Sequence, residues 1–398
     1  MSNQEEELDK NGRISKSLAD TRKRRKTQTC RVYTIKLDMD QLSSDQLTAI
    51  RMQFIEAKWL ANEAIGSGDI FKFVPKKTVV HKNKDMEDVV SEFKYLGSQQ
   101  KQSIIAELQA NIKGLSTTKK KGKKVGRLKF KKEVTSINLK QFGGTYRIKD
   151  KSHVVIQNIP GKIRVHGMKQ IYSTRGNLKF ELANAKLIKK PDGYYLAITC
   201  YKKKETKTKK TGEIGVDLGI STAVTLSDGR KFNASVQETD RLRRLQRKLA
   251  RQQKGSKRRY KTLNLIKREY QKLTNKKNDI ANKICNEILQ FEHVYMQDEN
   301  ISGWKKRFGK QVQHSVLGRV KAILKRNKNT HVLSRWEPTT KLCTNCGTVH
   351  EMSLSDRRFV CECGVDMDRD VHAAQNMIAI YKSNVGMGRA ETTFVEMA

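Results

Sequence analysis

Hydrophobic residues change their spacing repeatedly along this chain, and each change of period predicts an element. The segment RVYTIKLDM (31–39) sets Val32, Tyr33, Ile35 and Leu37 among polar residues and reads as a strand. From Ser43 the repeat lengthens. Leu47, Ile50, Phe54, Ala57, Ala61 and Ala64 fall at three- and four-residue intervals behind a Ser/Asp cap, which predicts a helix. QQKQSIIAELQANIKGL (99–115) predicts a second helix. Five or so short alternating runs follow (GTYRIK, HVVIQN, KIRVHG, KFELANAKLIKK and GYYLAITCY), and with turn residues between them they predict a small barrel or sandwich. Residues 202–210 then read as a linker. Beyond it, GEIGVDLGIST (212–222) is an apolar strand, and FEHVYMQDENISGW (291–304) is a second buried strand ending in acids. Between them runs a basic helical hairpin broken at Gly255, with Leu242, Leu245 and Leu249 as its packing stripe. Residues 1–29 are charged and aperiodic, and are expected to form a flexible arm.

Charge identifies the class of partner. Across 398 residues, 82 Lys+Arg face 41 Asp+Glu, a net charge of +41. A surface so basic repels itself unless a polyanion neutralises it, and counterion release from a nucleic-acid backbone is the usual compensation. Histone-like and ribosomal proteins share this signature, so charge alone specifies no chemistry. The candidate contacts lie in two places. One is the basic loop 117–133, with Lys119, Lys120, Lys121, Lys123, Lys124, Arg127, Lys129 and Lys131 around the aromatic Phe130. The other is the polar face of the helical hairpin, with Arg243, Arg244, Arg247 and Lys248. No run of 18 apolar residues occurs and the N-terminus lacks the apolar core of a signal peptide, so no membrane partner is expected.

The candidate chemistry is a set of carboxylates. In GVDLGI, Ile214, Val216 and Leu218 face one way and Gly215, Asp217 and Gly219 the other. A carboxylate inside a strand costs several kcal/mol unless it is paired or binds a metal. The flanking glycines are expected to leave room for a metal ion and a phosphate. The same pattern also opens sugar-kinase and actin-like ATPase folds. In the second strand, Asp298 and Glu299 alternate to opposite faces, so one of them joins Asp217. The reading takes Glu299, with Asp298 as a structural neighbour; a register slip of one residue would exchange them. Asp370 begins a helix in which Ala373, Ala374 and Met377 share its face, and the small alanines allow close approach to a sheet. Asp366 and Asp368 are candidate caps. Three acids from two strands and one helix suit two-metal phosphodiester hydrolysis with Mg²⁺ or Mn²⁺.

Seven cysteines, four of them clustered, argue for a reducing compartment and a metal site. Cys343 and Cys346 (CTNCG) and Cys361 and Cys363 (CECG) are spaced for a closed tetrahedral zinc site. The second pair has a single intervening residue, and His350 is an alternative ligand. Cys30, Cys200 and Cys285 are expected in the core. Asp370 lies close behind Cys363, so the knuckle is a candidate clamp on that carboxylate.

Assembled in this order, the residues resemble the transposon-encoded TnpB nucleases and the miniature type V CRISPR effectors related to them. GVDLGI resembles the first RuvC motif, DENISGW the second, and CTNCG…CECG…DRDVHAA the zinc-bearing insert running into the third. GKKVGRLKFKK resembles the basic stretch before the RuvC half, and GKQVQHSVLGRVKAILK (309–325) the helix after the second motif. Gln297 stands where many relatives carry a glutamate, and Glu299 lies on the same strand face. The resemblance implies an α+β multidomain chain. Its N-terminal half would comprise an arm (1–29), the first part of a wedge-like β-barrel (30–44), a helical recognition insert (45–116), and a basic loop with the rest of the barrel (117–210). The other half would be a ribonuclease-H-like α/β RuvC nuclease domain (211–336 and 367–385) with a zinc-binding insert (337–366) and a tail (386–398). It further implies that Asp217, Glu299 and Asp370 are catalytic metal ligands for Mg²⁺ or Mn²⁺, with Zn²⁺ on the four cysteines. The implied partners are a guide RNA from the transposon end or a CRISPR-type locus and a double-stranded DNA target read beside a short adjacent motif. The chain would act as a monomer or homodimer, cytoplasmic or nucleoid-associated in a prokaryote. A nuclease-dead RNA-guided repressor and an unguided RuvC-type nuclease are the alternatives.

Overall fold

The computed structural model describes residues 9–83, 85–172, 177–204, 211–353 and 355–386. The chain divides into two compact units, Met1–Glu205 and Thr206–Ala398. The expected tail beyond 386, the start of the arm and most of the linker lie outside the described residues.

The first unit opens with α1 (Lys10–Lys26), where an aperiodic arm was expected. Asp9 caps it by accepting from the Gly12 amide at 2.7 Å, and four basic residues fill its last turn, complementing the helix dipole. Its cap and its contacts to the sheet (Arg24 to Glu181 at 2.8 Å and Arg25 over the Tyr201 ring) are polar, so it has almost no apolar stripe for a periodicity argument to detect. β1 (Gln28–Leu37) follows, then α2 (Ser44–Gly66), which carries a capping box between Ser43 and Gln46. Next come a hairpin, β2 (Thr78–Lys82) and β3 (Asp88–Glu92), and α3 (Ser98–Lys120). The hairpin was not anticipated in a helical insert. α3 also runs five residues past its expected end.

The remaining strands are β4 (Ser136–Leu139), β5 (Tyr146–Ile148), β6 (His153–Ile156), β7 (Ile163–His166), β8 (Glu181–Lys190) and β9 (Gly193–Lys203). Together with β1 they form a barrel-like seven-stranded sheet in the order β4-β8-β9-β1-β7-β6-β5. Its inner face shares one core with α2 and α3, centred on Ile35, Leu37, Ile50, Leu60, Leu108 and Ile163. Cys200 is buried as expected, but Cys30 is exposed, on the part of β1 that extends beyond this core.

The second unit is built on β10 (Glu213–Asp217), β11 (Val224–Leu226), β12 (Lys231–Phe232), β13 (His293–Gln297) and β14 (Thr330–Leu333), ordered β12-β11-β10-β13-β14. β10, β13 and β14 run parallel, whereas β11 runs antiparallel to both its neighbours, β10 and β12. α4 (Asp240–Ala250) and α5 (Lys257–Ile288) form the helical hairpin; Gly255 between them has φ +85°, which favours glycine. Leu242, Leu245 and Leu249 pack with Ile266 and Leu273, as the stripe predicts. α6 (Ile301–His314) and α7 (Leu317–Leu324) follow β13. A hairpin of β15 (Arg358–Val360) and β16 (Asp366–Asp368) then leads directly into α8 (Arg369–Gly386). The sheet is covered on both faces. Ile214, Val216, Val294 and Met296 pack on α5 and α7, while Tyr295 and Leu333 pack on Met377 and Ile380 of α8.

Candidate active site and zinc knuckle

The register of β10 against β13 decides which acids meet. Gly215 pairs with Tyr295 and Val216 with Met296, in parallel. Paired residues of parallel strands share a face, so Asp217 shares the α8 side with Tyr295 and Gln297. Glu299 lies just past the end of β13, where its charge bears on Asp217. α8 approaches that face very closely. A Cβ on Gly215 would lie 1.8 Å from the Ala374 carbonyl oxygen, and Ala373 and Ala374 are fully buried. Gly215 therefore makes room for a helix backbone rather than for a metal and a phosphate. Gly219 is similar, since a Cβ there would meet the Thr222 carbonyl at 2.8 Å. The close approach brings Asp370, in the first turn of α8, to Asp217.

Electrostatics records the convergence. Burial pushes the Asp217 carboxyl up to about 7, and the charges of Asp370 and Glu299 push the same way, with Arg369 opposing them. Burial also raises Glu299, against the pull of Lys321 and Arg335. Asp298 differs. Burial favours its neutral form, but Lys321 and Lys325 overcome that and hold it below the usual range. Its oxygens lie 2.7 Å from Lys321 Nζ, 3.2 Å from Lys325 Nζ and 3.7 Å from Arg335 Nη2. The structure thus brings together Asp217, Glu299 and Asp370, and places Asp298 in a separate cationic nest. Mutual repulsion among three carboxylates is what bound cations would relieve, and all-oxygen donors suit Mg²⁺ or Mn²⁺. Asp368 caps α8, accepting from the Asp370 and Val371 amides, each at 3.1 Å. Asp366 instead pairs with Arg358 at 2.7 Å.

The four clustered cysteines converge. Their sulfurs lie within 4.8 Å of one another, with Cys343–Cys363 and Cys346–Cys361 at 3.5 Å. Tetrahedral zinc thiolates with bonds of about 2.3 Å put sulfurs roughly 3.8 Å apart, so the residues fit this metal. The short second pair reaches because Gly364, at φ +95°, tightens the turn; its amide donates to Cys361 O, and the Cys361 amide donates to Val365 O at 2.8 Å. Hydrogen bonding from Thr348 holds the Cys346 thiol down to about 6, which favours the thiolate a metal requires. His350 Nε2 lies 3.2 Å from Cys361 Sγ, at the edge of the cluster.

Two side chains that the sequence did not single out join the clusters to the frame. Asn376 of α8, fully buried, donates to Thr339 O and Leu342 O at 2.8 and 2.6 Å and accepts from the Thr344 hydroxyl at 2.9 Å. His372 stacks on Phe359 of the knuckle, with ring centroids 3.7 Å apart. Gln297 is buried and donates to Ser334 O and Glu337 O, while its own Oε1 accepts from Thr339. It acts as a clasp on the backbone of the 334–337 turn. A buried amide among small residues looks like ordinary core filler in sequence, and carries no spacing signal.

The basic residues are displayed as expected, with one change of setting. Lys119 and Lys120 belong to the last turn of α3, and the segment from Lys121 onward has no regular structure. Lys121, Lys123, Lys124, Arg127, Lys129 and Phe130 are exposed, while Lys131 is anchored by its backbone to both ends of the Asn62 amide. On α4, Arg243, Arg244, Arg247 and Lys248 are exposed opposite the Leu242 stripe.

Comparison with known proteins gives the class first. Residues 197–298 match the family OrfB_IS605, described as "Probable transposase", and residues 321–377 match "Cas12f1-like, TNB domain". A Streptomyces pristinaespiralis protein named "Putative RNA-guided DNA endonuclease" is 28% identical over 198 residues, 47% of this chain and 49% of that protein. A "Putative transposase" of Paramecium bursaria Chlorella virus 1 is 37% identical over 59 residues, 15% of this chain and 14% of the viral one. The matched stretches span half or less of these relatives' lengths. Taken together, these matches support the resemblance to the TnpB family over those stretches. Among the described residues no helix is long and apolar enough to cross a membrane.

Proposed function

We propose that this chain is an RNA-guided endonuclease that cleaves double-stranded DNA next to a short adjacent motif. The observation that carries the reading is the convergence of Asp217, Glu299 and Asp370, delivered by the end of β10, the segment just past β13 and the first turn of α8. The strand order, with β11 antiparallel beside the parallel β10, β13 and β14, supports a ribonuclease-H-like RuvC domain formed by 211–336 and 367–385. Residues 337–366 are then its zinc-binding insert, and the barrel with α2 and α3 its wedge and recognition parts.

Asp217, Glu299 and Asp370 would hold Mg²⁺ or Mn²⁺. Bound there, the cations supply Lewis acidity and an activated water for in-line attack on a phosphodiester. The chain's own residues fix the geometry. Asp217 is delivered by a strand end, and Glu299 is held through its carbonyl by the Lys321 ammonium at 2.5 Å. Asp370 is set by the capped first turn of α8. Asp298 keeps Lys321, Lys325 and Arg335 in place beside the site. Cys343, Cys346, Cys361 and Cys363 would hold Zn²⁺ as a closed structural site. The basic loop and α4 would bind the backbones of a guide RNA and its DNA target, with sequence read by base pairing. This activity would belong in the cytoplasm or nucleoid of a prokaryote.

The test is plasmid cleavage by the protein purified with its RNA, in Mg²⁺ against EDTA. Sequencing of the bound RNA should show one abundant structured species. Target binding without cleavage would favour a repressor, and cleavage independent of that RNA an unguided nuclease.

A further inference from the structure

Trp336 is the most exposed large hydrophobic side chain among the described residues, at 85%. It sits in the turn after β14. Because β10, β13 and β14 are parallel, that turn leaves the sheet at the edge where β10 and β13 deliver Asp217 and Glu299. The turn is firmly built. Gln297 bridges Ser334 O and Glu337 O at 3.0 and 2.8 Å, the Glu337 amide donates to Ser334 O, and the Trp336 amide reaches Ser334 Oγ at 3.4 Å. Arg335, next in the chain, turns back to the acids. Its guanidinium lies 3.7 Å from Asp298 and pulls on the charge of Glu299.

An indole displayed to solvent from a hydrogen-bonded turn, beside a cation and a carboxylate cluster, is a specific arrangement. Its flanking residues in the chain, Ser334, Arg335 and Glu337, are polar. Every nucleobase has a π-face, and stacking on a fixed aromatic is the sequence-tolerant way to hold a single strand. We infer that Trp336 is a stacking platform for an unpaired nucleobase of the DNA strand whose backbone enters the carboxylate cluster, with Arg335 countering an adjoining phosphate. This rests on the nuclease reading for its purpose, though not for its chemistry. Stacking needs neither metal nor cleavage.

The experiment uses the full-length protein with its bound RNA, in EDTA, and a single-stranded oligodeoxynucleotide carrying one 5-iodouracil. Irradiation followed by peptide mass mapping should place the adduct on Trp336. The adduct should persist in Asp217→Ala and vanish in Trp336→Ala. With Mg²⁺ and target DNA, Trp336→Ala should raise KM roughly tenfold with little change in kcat. Trp336→Phe should restore most of that loss, and zinc content and melting temperature should stay at wild-type values. Adducts confined to other aromatics, or a wild-type KM in Trp336→Ala, would overturn the inference and leave the nuclease reading standing. Conversely, cleavage by Asp217→Ala would remove the nuclease reading while the Trp336 adduct stood.

Discussion

Asp217, Glu299 and Asp370 come from three distant parts of the sequence and meet only because a sheet register and a close helix crossing bring them together. Cys343, Cys346, Cys361 and Cys363 come from one short stretch, and two tight turns suffice to gather them. The carboxylate cluster is electrostatically unfavourable by itself: Asp217 is pushed up to about 7 by burial and by its like-charged neighbours. The cysteine cluster is pre-organised by donors such as Thr348, which lowers the Cys346 thiol. A site assembled at long range keeps its geometry only through the surrounding frame, whereas a local site is gathered by its own turns.

The sharpest test of this contrast removes a carboxylate. Asp217→Ala or Asp370→Ala should reduce cleavage by about 10³-fold, since metal-based stabilisation of the transition state is worth several kcal/mol. Guide-dependent DNA binding, measured by filter retention, should be nearly unchanged. Wild-type cleavage by either variant would break the assignment.

Glu299→Gln should lose on the order of 10²-fold in rate, far more than Asp298→Asn, whose role is to organise Lys321, Lys325 and Arg335. The reverse order would mean that Asp298 is the ligand and that the face argument is off by one residue.

On the local site, Cys343→Ser or Cys346→Ser should release zinc by elemental analysis and lower the melting temperature. Because Asn376 and the Phe359–His372 stack join the knuckle to α8, cleavage should fall too, by roughly tenfold. Purified wild-type protein without zinc would end this account.

Titration probes the repulsion directly. Asp217 has a folded value of about 7 against an ordinary 3.8, so the folded metal-free chain holds its proton more tightly than the unfolded chain. That contribution to stability is fully present below about 4 and is lost as pH rises toward 7. Metal binding needs the ionised form, so Mn²⁺ affinity by calorimetry should rise by up to roughly tenfold per pH unit below 7 and level off above. A flat profile from pH 5 to 8 would show that the three acids do not share one site.

The smallest effect is expected from inserting two glycines between Gly364 and Val365. The sequence suggests that this short tether sets Asp370. In the structure, those residues form the turn of the β15–β16 hairpin, which can lengthen while Phe359 still pairs with Met367. Loop extension should cost only a few tenths of a kcal/mol. Cleavage reduced a hundredfold by this insertion would restore the tether as the positioning device.

Much of the frame was legible in the sequence. Period-two alternation located β1, β10 and β13, and the Ser43 cap and its apolar repeat located α2, because burial on one face leaves a periodic trace. The cysteine pairs were legible because their chemistry is local. Periodicity was silent on α1, whose charged residues bury almost nothing, and the β2–β3 hairpin was hidden within a segment read as wholly helical. The exposed Cys30 likewise showed that apolar neighbours do not guarantee a core.

By itself, then, the sequence determined the charge excess that favours a polyanionic partner, the spacing of the four cysteines that converge, and which acids were available. Only the tertiary structure decided that Gly215 yields its space to the Ala374 carbonyl, that the charge of Glu299 bears on Asp217, that Asn376 and Gln297 clasp neighbouring backbone, and that Trp336 stands exposed. These depend on which backbone atoms lie opposite one another across separate elements. That is a long-range property of packing, on which the local pattern of residue types carries no information.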